Sequence, residues 1–191
     1  MKAHDSGMPD EAYWAQFFEV EAALDALAGS GRNVGDVLEF GCGYGTFTLP
    51  AAKRTDGIVT ALDIDPAMTA RVSERAAQEG AANIRAELRD FVAKGAGVSS
   101  GSQAHAMIYN LLHLEQPVAL LREAHRALKP GGVVSVMHWR SDIPTPRGPA
   151  LSIRPRPEQC EAWLRDAGFS AAERVDLRSC CPYHFGLIAT R

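Results

Sequence analysis

The segment Val37-Leu-Glu-Phe-Gly-Cys-Gly-Tyr-Gly-Thr-Phe47 constrains this chain more than any other. An apolar stretch of strand length, Asp36–Phe40, runs into three alternating glycines, and Thr46–Lys53 then has helical composition. Glycine at such a turn adopts backbone angles closed to other residues and lets main-chain amides approach a ligand. A strand, a glycine-rich turn and a helix in that order open a parallel α/β unit. The downstream pattern agrees. Strands are predicted at Ile58–Leu62, Asn83–Arg89, His105–Asn110 and Val133–Met137. Helices are predicted at Pro66–Glu79, Pro117–Leu128 and Pro157–Ala167, with Lys129–Gly132 stopping the second of these and turning the chain. Strands at Ala172–Leu177 and Phe185–Thr190 finish the chain and are expected to pair antiparallel. Upstream, Asp10–Ala28 reads as one helix ending at Gly29–Gly31, with Tyr13, Trp14, Phe17 and Phe18 as an aromatic stripe at helical spacing. Residues 1–9 read as loosely tied. The expected fold is α/β, a mostly parallel sheet covered by helices on both faces through right-handed crossovers.

A length of 191 residues suits a single domain spanning 1–191, and neither a repeat nor a linker divides it. The net charge of -3 offers no bulk attraction to nucleic acid or anionic lipid. The first residues lack the apolar core of a signal peptide, and no apolar run approaches a membrane span. The expectation is therefore a soluble, cytoplasmic protein without nucleic-acid or membrane partners. Cys42, Cys160, Cys180 and Cys181 do not form a disulfide scaffold or a paired CxxC zinc site. The histidines lack metal-ligand spacing, so no metal is expected.

The turn itself indicates what is bound. Gly41, Gly43 and Gly45 provide the close approach, and Glu39 places a carboxylate at the strand end. A carboxylate there suits an ammonium group better than a phosphate. Asp63 closes the second strand, where an acid can accept both ribose hydroxyls of a nucleoside; Asp65 is placed to cap the helix starting at Pro66. A nicotinamide-binding turn would read G-x-G-x-x-G, whereas here the third glycine comes one residue early and Thr46 follows it.

With these motifs the sequence resembles the class I S-adenosylmethionine-dependent methyltransferases, in the small-molecule branch described as methyltransferase domain 11 or 25. The resemblance covers roughly residues 34–140. It rests on Glu39-Phe-Gly-Cys-Gly-Tyr-Gly45, Ala61-Leu-Asp-Ile-Asp-Pro66, Arg89-Asp-Phe91, Met107-Ile-Tyr-Asn-Leu-Leu-His113 and the Leu121–Gly132 stretch ending LKPGG. It implies a Rossmann-like sandwich with a seven-stranded, mostly parallel sheet and a C-terminal antiparallel strand. It also implies S-adenosyl-L-methionine as cofactor, held by Glu39, Gly41, Cys42, Gly43, Gly45, Asp63, Ile64, Asp90, Phe91 and Asn110, with Asp90 at the adenine amine. One departure is His105, where the family often has an acid at the start of the fourth strand. That position is expected to lie far from the cofactor.

The methyl acceptor is expected beyond the carboxyl ends of strands four and five. His138 and His113 are the candidate catalytic bases, and Tyr13, Trp14, Phe17, Trp139, Arg140 and His184 the candidate acceptor contacts. Each has a plain structural alternative: the aromatic stripe as core and Asn110 as a turn residue, while the arginines at 140, 147, 154 and 156 could hold an anionic acceptor or form the solvated face of a proline-rich cover. His125 is expected to be uninvolved. The N-terminal helix 10–29 and the segment 141–157 are the expected cover of the site, alone or with a second subunit of a homodimer. The [DN]-P-P-[YF] motif of base- and glutamine-methylating enzymes is replaced by Asn110-Leu-Leu-His113, and the spaced cysteines of arsenite methylation are missing. A small-molecule acceptor is the leading reading. The alternative is a non-catalytic module that binds the cofactor or its product and supports a partner.

Overall fold

The structure is a computed structural model that describes residues 8–28 and 35–191. The readings for residues 1–7 and for the helix end at Gly29–Gly31 lie outside the described residues.

The chain runs α1 (Glu11–Ala15), α2 (Val20–Ala28), β1 (Val37–Phe40), α3 (Thr48–Lys53), β2 (Val59–Asp63), α4 (Pro66–Glu79), β3 (Ile84–Leu88), α5 (Phe91–Lys94), β4 (Gln103–Tyr109), α6 (Pro117–Ala127), β5 (Leu128–Trp139), a 3-10 turn (Leu151–Ile153), α7 (Pro157–Asp166), β6 (Glu173–Val175) and β7 (His184–Thr190). Local chemistry sets several ends. Asp65 caps α4 by accepting from the Ala67 amide at 2.9 Å, Pro66 opens the first turn, and Gly80 closes the helix at φ +66°.

The seven strands are ordered β3-β2-β1-β4-β5-β7-β6. The first five are parallel, and β7 lies antiparallel between β5 and β6. This is the expected mostly parallel sheet with a C-terminal antiparallel strand. Strand alternation divides the core in two. Leu38, Phe40, Ala106, Ile108, Val134 and Val136 pack with Leu120, Leu121 and Ala124 of α6 and Leu164 of α7. Val37, Val59, Met107 and Met137 face the other way, onto Leu24 and Leu27 of α2 and Ala51 and Ala52 of α3. Strand β1 is buried at every residue, as a central parallel strand covered on both faces must be.

Two local expectations are corrected. The predicted helix from Asp10 to Ala28 is two helices with a break at 16–19. Phe17 and Phe18 are consecutive and both buried. Phe17 packs on Trp139 and Tyr183, while Phe18 packs on Phe47 and His184. The Glu19 amide donates to the Cys180 carbonyl at 2.8 Å instead of to the preceding turn. Anchoring both rings outweighs helix continuity. The second correction concerns Lys129–Gly132, which does not separate α6 from the strand. Strand β5 starts at Leu128, opposite Gln103, and the register slips before His105 meets Val133. The glycines accommodate this irregularity, with Gly131 at φ +77°.

Candidate active site

The strand order reverses between β1 and β4, which opens a crevice beyond their carboxyl ends. A cavity of about 380 Å³ occupies it. The turns after β1, β2 and β3 supply Glu39, Gly41, Cys42, Gly43, Asp63, Ile64, Asp90, Phe91 and Val92 to its lining. Tyr109, Asn110, Leu111, His113, Leu114 and Trp139 line the rest with Arg147, Gly148 and Pro149, and Met8, Pro9 and Trp14 cover it.

The glycine turn is built to bring main chain up to a ligand. The Gly41 and Cys42 amides donate to the Leu62 carbonyl at 2.8 and 2.9 Å, tying the turn to β2. Gly43 has φ +51°, and its amide donates to Asp63 Oδ2 at 2.9 Å. A Cβ on Gly43 would stand 3.1 Å from the Met8 methyl, so a side chain here would press into the cover. Gly45 serves the fold instead. At φ +77° it lies under α3 and outside the cavity lining, and a Cβ would meet Leu49 Cδ1 at 2.7 Å. The cover is latched from below: the Tyr44 hydroxyl donates to the Pro9 carbonyl at 2.7 Å, and Arg71 pairs with Glu11 at 3.0 Å.

Two buried carboxylates dominate the electrostatics. Glu39 and Asp63 are only 4% and 5% exposed, and among the described residues neither forms an ion pair. Glu39 accepts from the Thr48 hydroxyl. Burial pushes the Glu39 carboxyl up to about 8, against that hydrogen bond and helped by the Asp63 charge. Burial also raises Asp63, opposed by backbone amides that donate to its carboxylate. Asp63 Oδ1 accepts from the Asp65 amide at 3.0 Å. Uncompensated buried carboxylates favour a ligand that brings positive charge and hydroxyl donors.

Asn110 carries a third sign of a ligand. It sits at φ +60°, the one non-glycine residue with positive φ among the described residues. Its main-chain amide donates to the Met137 carbonyl at 2.7 Å, but its Oδ1 is buried with no partner among the described residues. Strain and an orphaned acceptor at a strand end are expected where a ligand completes the site. Asp90 caps α5 through the Ala93 amide at 3.0 Å, and Phe91 packs edge-on against Phe40. The glycine cradle, the two carboxylates and the Asn110 oxygen together fit the amino-acid and nucleoside parts of S-adenosylmethionine.

At the other end, His113 lines the cavity and His138 lies fully buried behind it, outside the lining. Their rings meet at 3.2 Å, His113 Nδ1 to His138 Nε2, and His138 Nδ1 is 3.2 Å from the Trp139 carbonyl. Burial lowers both, His138 to about 3. Trp14 and Trp139 reach the cavity wall. The other candidate acceptor contacts do not. Tyr13 is partly exposed, and Phe17 is core beneath Trp139. Arg140 pairs with Asp142 at 2.7 Å. His184 stacks on Trp139 at 4.2 Å with both ring nitrogens lacking partners among the described residues, and burial lowers it to about 3. His125 lies away from the cavity against Phe169.

Two contributors, Thr48 and Tyr109, are not evident from motif reading, and a third, Arg147, is one of the four arginines weighed for an anionic acceptor. Thr48 is recognisable only through its contact with Glu39. Tyr109 follows from alternation, since it shares a face with Met107 at the end of β4. Arg147 is the arginine of the proline-rich segment that enters the lining, whereas Arg154 binds that segment together. Its guanidinium donates to the carbonyls of Arg140, Arg147 and Pro149 and to the Thr145 hydroxyl at 2.6–3.1 Å. The departure at His105 is absorbed internally: His105 Nε2 meets Ser135 Oγ at 2.7 Å, and Ser135 meets the Tyr109 hydroxyl at 2.9 Å.

Comparison with known proteins agrees with this geometry. The family model described as "Methyltransferase domain" matches residues 37–132. Among curated protein sequences nothing matches this chain. Solved structures do. A SAM-dependent methyltransferase from Aquifex aeolicus superposes with a TM-score of 0.80 at 21% identity, covering 95% of this chain and 93% of its own. An S-adenosylmethionine-dependent methyltransferase from Mesorhizobium loti gives 0.69 at 18% identity, with 89% and 96% covered. Phosphoethanolamine N-methyltransferase 2 of Haemonchus contortus, in complex with S-adenosyl-L-methionine, gives 0.65 at 22% identity, with 80% and 37% covered. At these identities the likeness speaks for the fold, and the family match spans half of the chain. The strand order, the glycine turn with its flanking acids and the family match agree: the chain belongs to the methyltransferase-domain family, the class I S-adenosylmethionine-dependent methyltransferases.

Proposed function

We propose that this protein transfers the methyl group of S-adenosylmethionine to a small-molecule acceptor. The observation that carries the reading is the single cavity that joins the acidic glycine turn to an aromatic, histidine-bearing end beneath a cover. In this reading Asp63 accepts the ribose hydroxyls, Glu39 and Asn110 Oδ1 face the amino-acid end, and Ile64, Asp90, Phe91 and Val92 surround the adenine. Bound there, the cofactor supplies an electrophilic methyl group on sulfur. The chain's own work is alignment and exclusion of water. Trp14 and Trp139 wall the acceptor, the segment around Arg147 closes over it, and His113 offers a proton acceptor. A cavity of about 380 Å³ under a latched cover supports a metabolite-sized acceptor rather than a folded protein. The same reading takes residues 1–191 as one cytoplasmic catalytic domain.

The test is methyl-labelled cofactor offered with a size-fractionated metabolite extract and, separately, with a protein fraction. The proposal expects label in the small-molecule fraction, lost in Asp63→Ala. Label confined to protein would reject the small-molecule acceptor.

A further inference from the structure

The two histidines at the acceptor end are joined in an order that fixes where their protons lie. His138 Nδ1 faces the carbonyl oxygen of Trp139 at 3.2 Å. A carbonyl oxygen only accepts, so His138 Nδ1 carries the hydrogen and its Nε2 presents a lone pair. That lone pair faces His113 Nδ1 at 3.2 Å, so the hydrogen of His113 lies on Nδ1. The consequence is a bare Nε2 on His113, the ring that borders the cavity. The surroundings keep both rings neutral. His138 is completely buried, and burial together with His113 and the Arg154 charge disfavours its cationic form. Phe185, its register partner on β7, packs a tilted ring against it at 6.2 Å. Free imidazole favours the other tautomer, so the arrangement on His113 has to be imposed; the Asn110 backbone carbonyl also accepts from His113 and stands as a second partner of the ring beside His138 Nε2.

We propose that His138 is a positioning residue that holds His113 as the Nδ1–H tautomer, so that His113 Nε2 takes the proton of a hydroxyl acceptor. This rests on the methyl-transfer reading above. The acceptor oxygen forms a bond to the methyl carbon as the carbon–sulfur bond breaks, and that electron pair stays on the departing thioether. The hydroxyl proton moves to His113 Nε2, leaving an imidazolium that keeps its Nδ1–H bond to His138 and returns the proton to solvent. Burial lowers the basicity of His113 against the hydrogen bond to the Asn110 carbonyl, and a phenolic or enolic hydroxyl gives up its proton to such a ring more readily than an aliphatic alcohol does. His138 never reaches the cavity and acts only through His113.

The tautomer can be read without cofactor or substrate, from long-range nitrogen–proton correlations of 15N-histidine-labelled protein at neutral pH, with His113→Gln assigning the signals. The wild type should show His113 protonated on Nδ1 and bare at Nε2, and His138→Phe should shift His113 towards the Nε2–H form. His113 carrying its proton on Nε2 in the wild type, or an unchanged tautomer in folded His138→Phe, would overturn the positioning role. The wild-type spectrum decides alone if the variant does not fold. Titration with phenol should move the His113 Nε2 resonance, whereas anisole, which has no hydroxyl proton, should leave it in place. A resonance unmoved by phenol, or moved equally by anisole, would overturn the hydroxyl assignment. Cofactor binding is measured separately, so a failure of the methyl-transfer reading would be distinguishable from a failure here.

Discussion

Glu39→Gln should make the ligand-free protein more stable, and only at high pH. Glu39 is buried and its carboxyl has no cation beside it among the described residues. Its proton affinity rises from 4.5 to about 8 on burial. A folded-state value above the unfolded one means that the native protein binds the extra proton. Stability from this group is therefore whole below pH 4.5, falls as pH rises, and has reached its floor above pH 8. At about 1.4 kcal/mol for each tenfold change in affinity, the loss is on the order of 5 kcal/mol. Glutamine is uncharged at every pH and keeps an oxygen for the Thr48 hydroxyl. Urea unfolding of wild type and variant should give nearly equal stabilities at pH 5 and a gain of a few kcal/mol for the variant at pH 9. Titrating groups that do not interact with Glu39 cancel in the difference. An equal gain at both pH values would show that Glu39 is not an uncompensated buried acid, and the argument for a cationic ligand would lose its main support.

Three further outcomes follow from the packing. Gly45→Ala should lose more than about 1 kcal/mol, because φ is +77° and the added carbon would meet Leu49 at 2.7 Å; thermal unfolding reads this. Leu121→Ala, at a fully buried site on α6, should cost about 2–5 kcal/mol by urea titration. Arg154→Met should raise amide exchange across residues 140–154 while leaving the sheet protected, since four hydrogen bonds to that segment come from one guanidinium. Uniform exchange across the segment and the sheet would contradict the stapling role.

The sequence was most legible where local chemistry and tertiary role coincide. Asp65 and Pro66 mark the start of α4 by local chemistry alone, and the observed helix begins there. The acids after β1, β2 and β3 and the glycines between β1 and α3 are readable because a strand-end ligand site needs them close in sequence to the strands. What depends on contacts between distant segments was not legible. The aromatic stripe reads as one helical face, yet Phe17 and Phe18 part to reach different partners. His138 and His113 are separated by α6 in the chain, and only the parallel pairing of β4 with β5 brings the ends of those strands together. Nothing in the spacing tells that His113 borders the cavity while His138 stands behind it. Likewise His184 is a candidate contact by position, but the antiparallel register puts it opposite Trp139 and away from the lining.

The most direct test of the account is calorimetric titration of the wild type and Asp63→Ala with S-adenosylmethionine and S-adenosylhomocysteine. Hydrogen bonds to a charged group contribute about 1.5–3 kcal/mol each, so losing the ribose acceptor should weaken both ligands at least about tenfold. Both ligands should bind the wild type, and both should weaken in the variant. Folded wild-type protein that binds neither ligand would contradict the account.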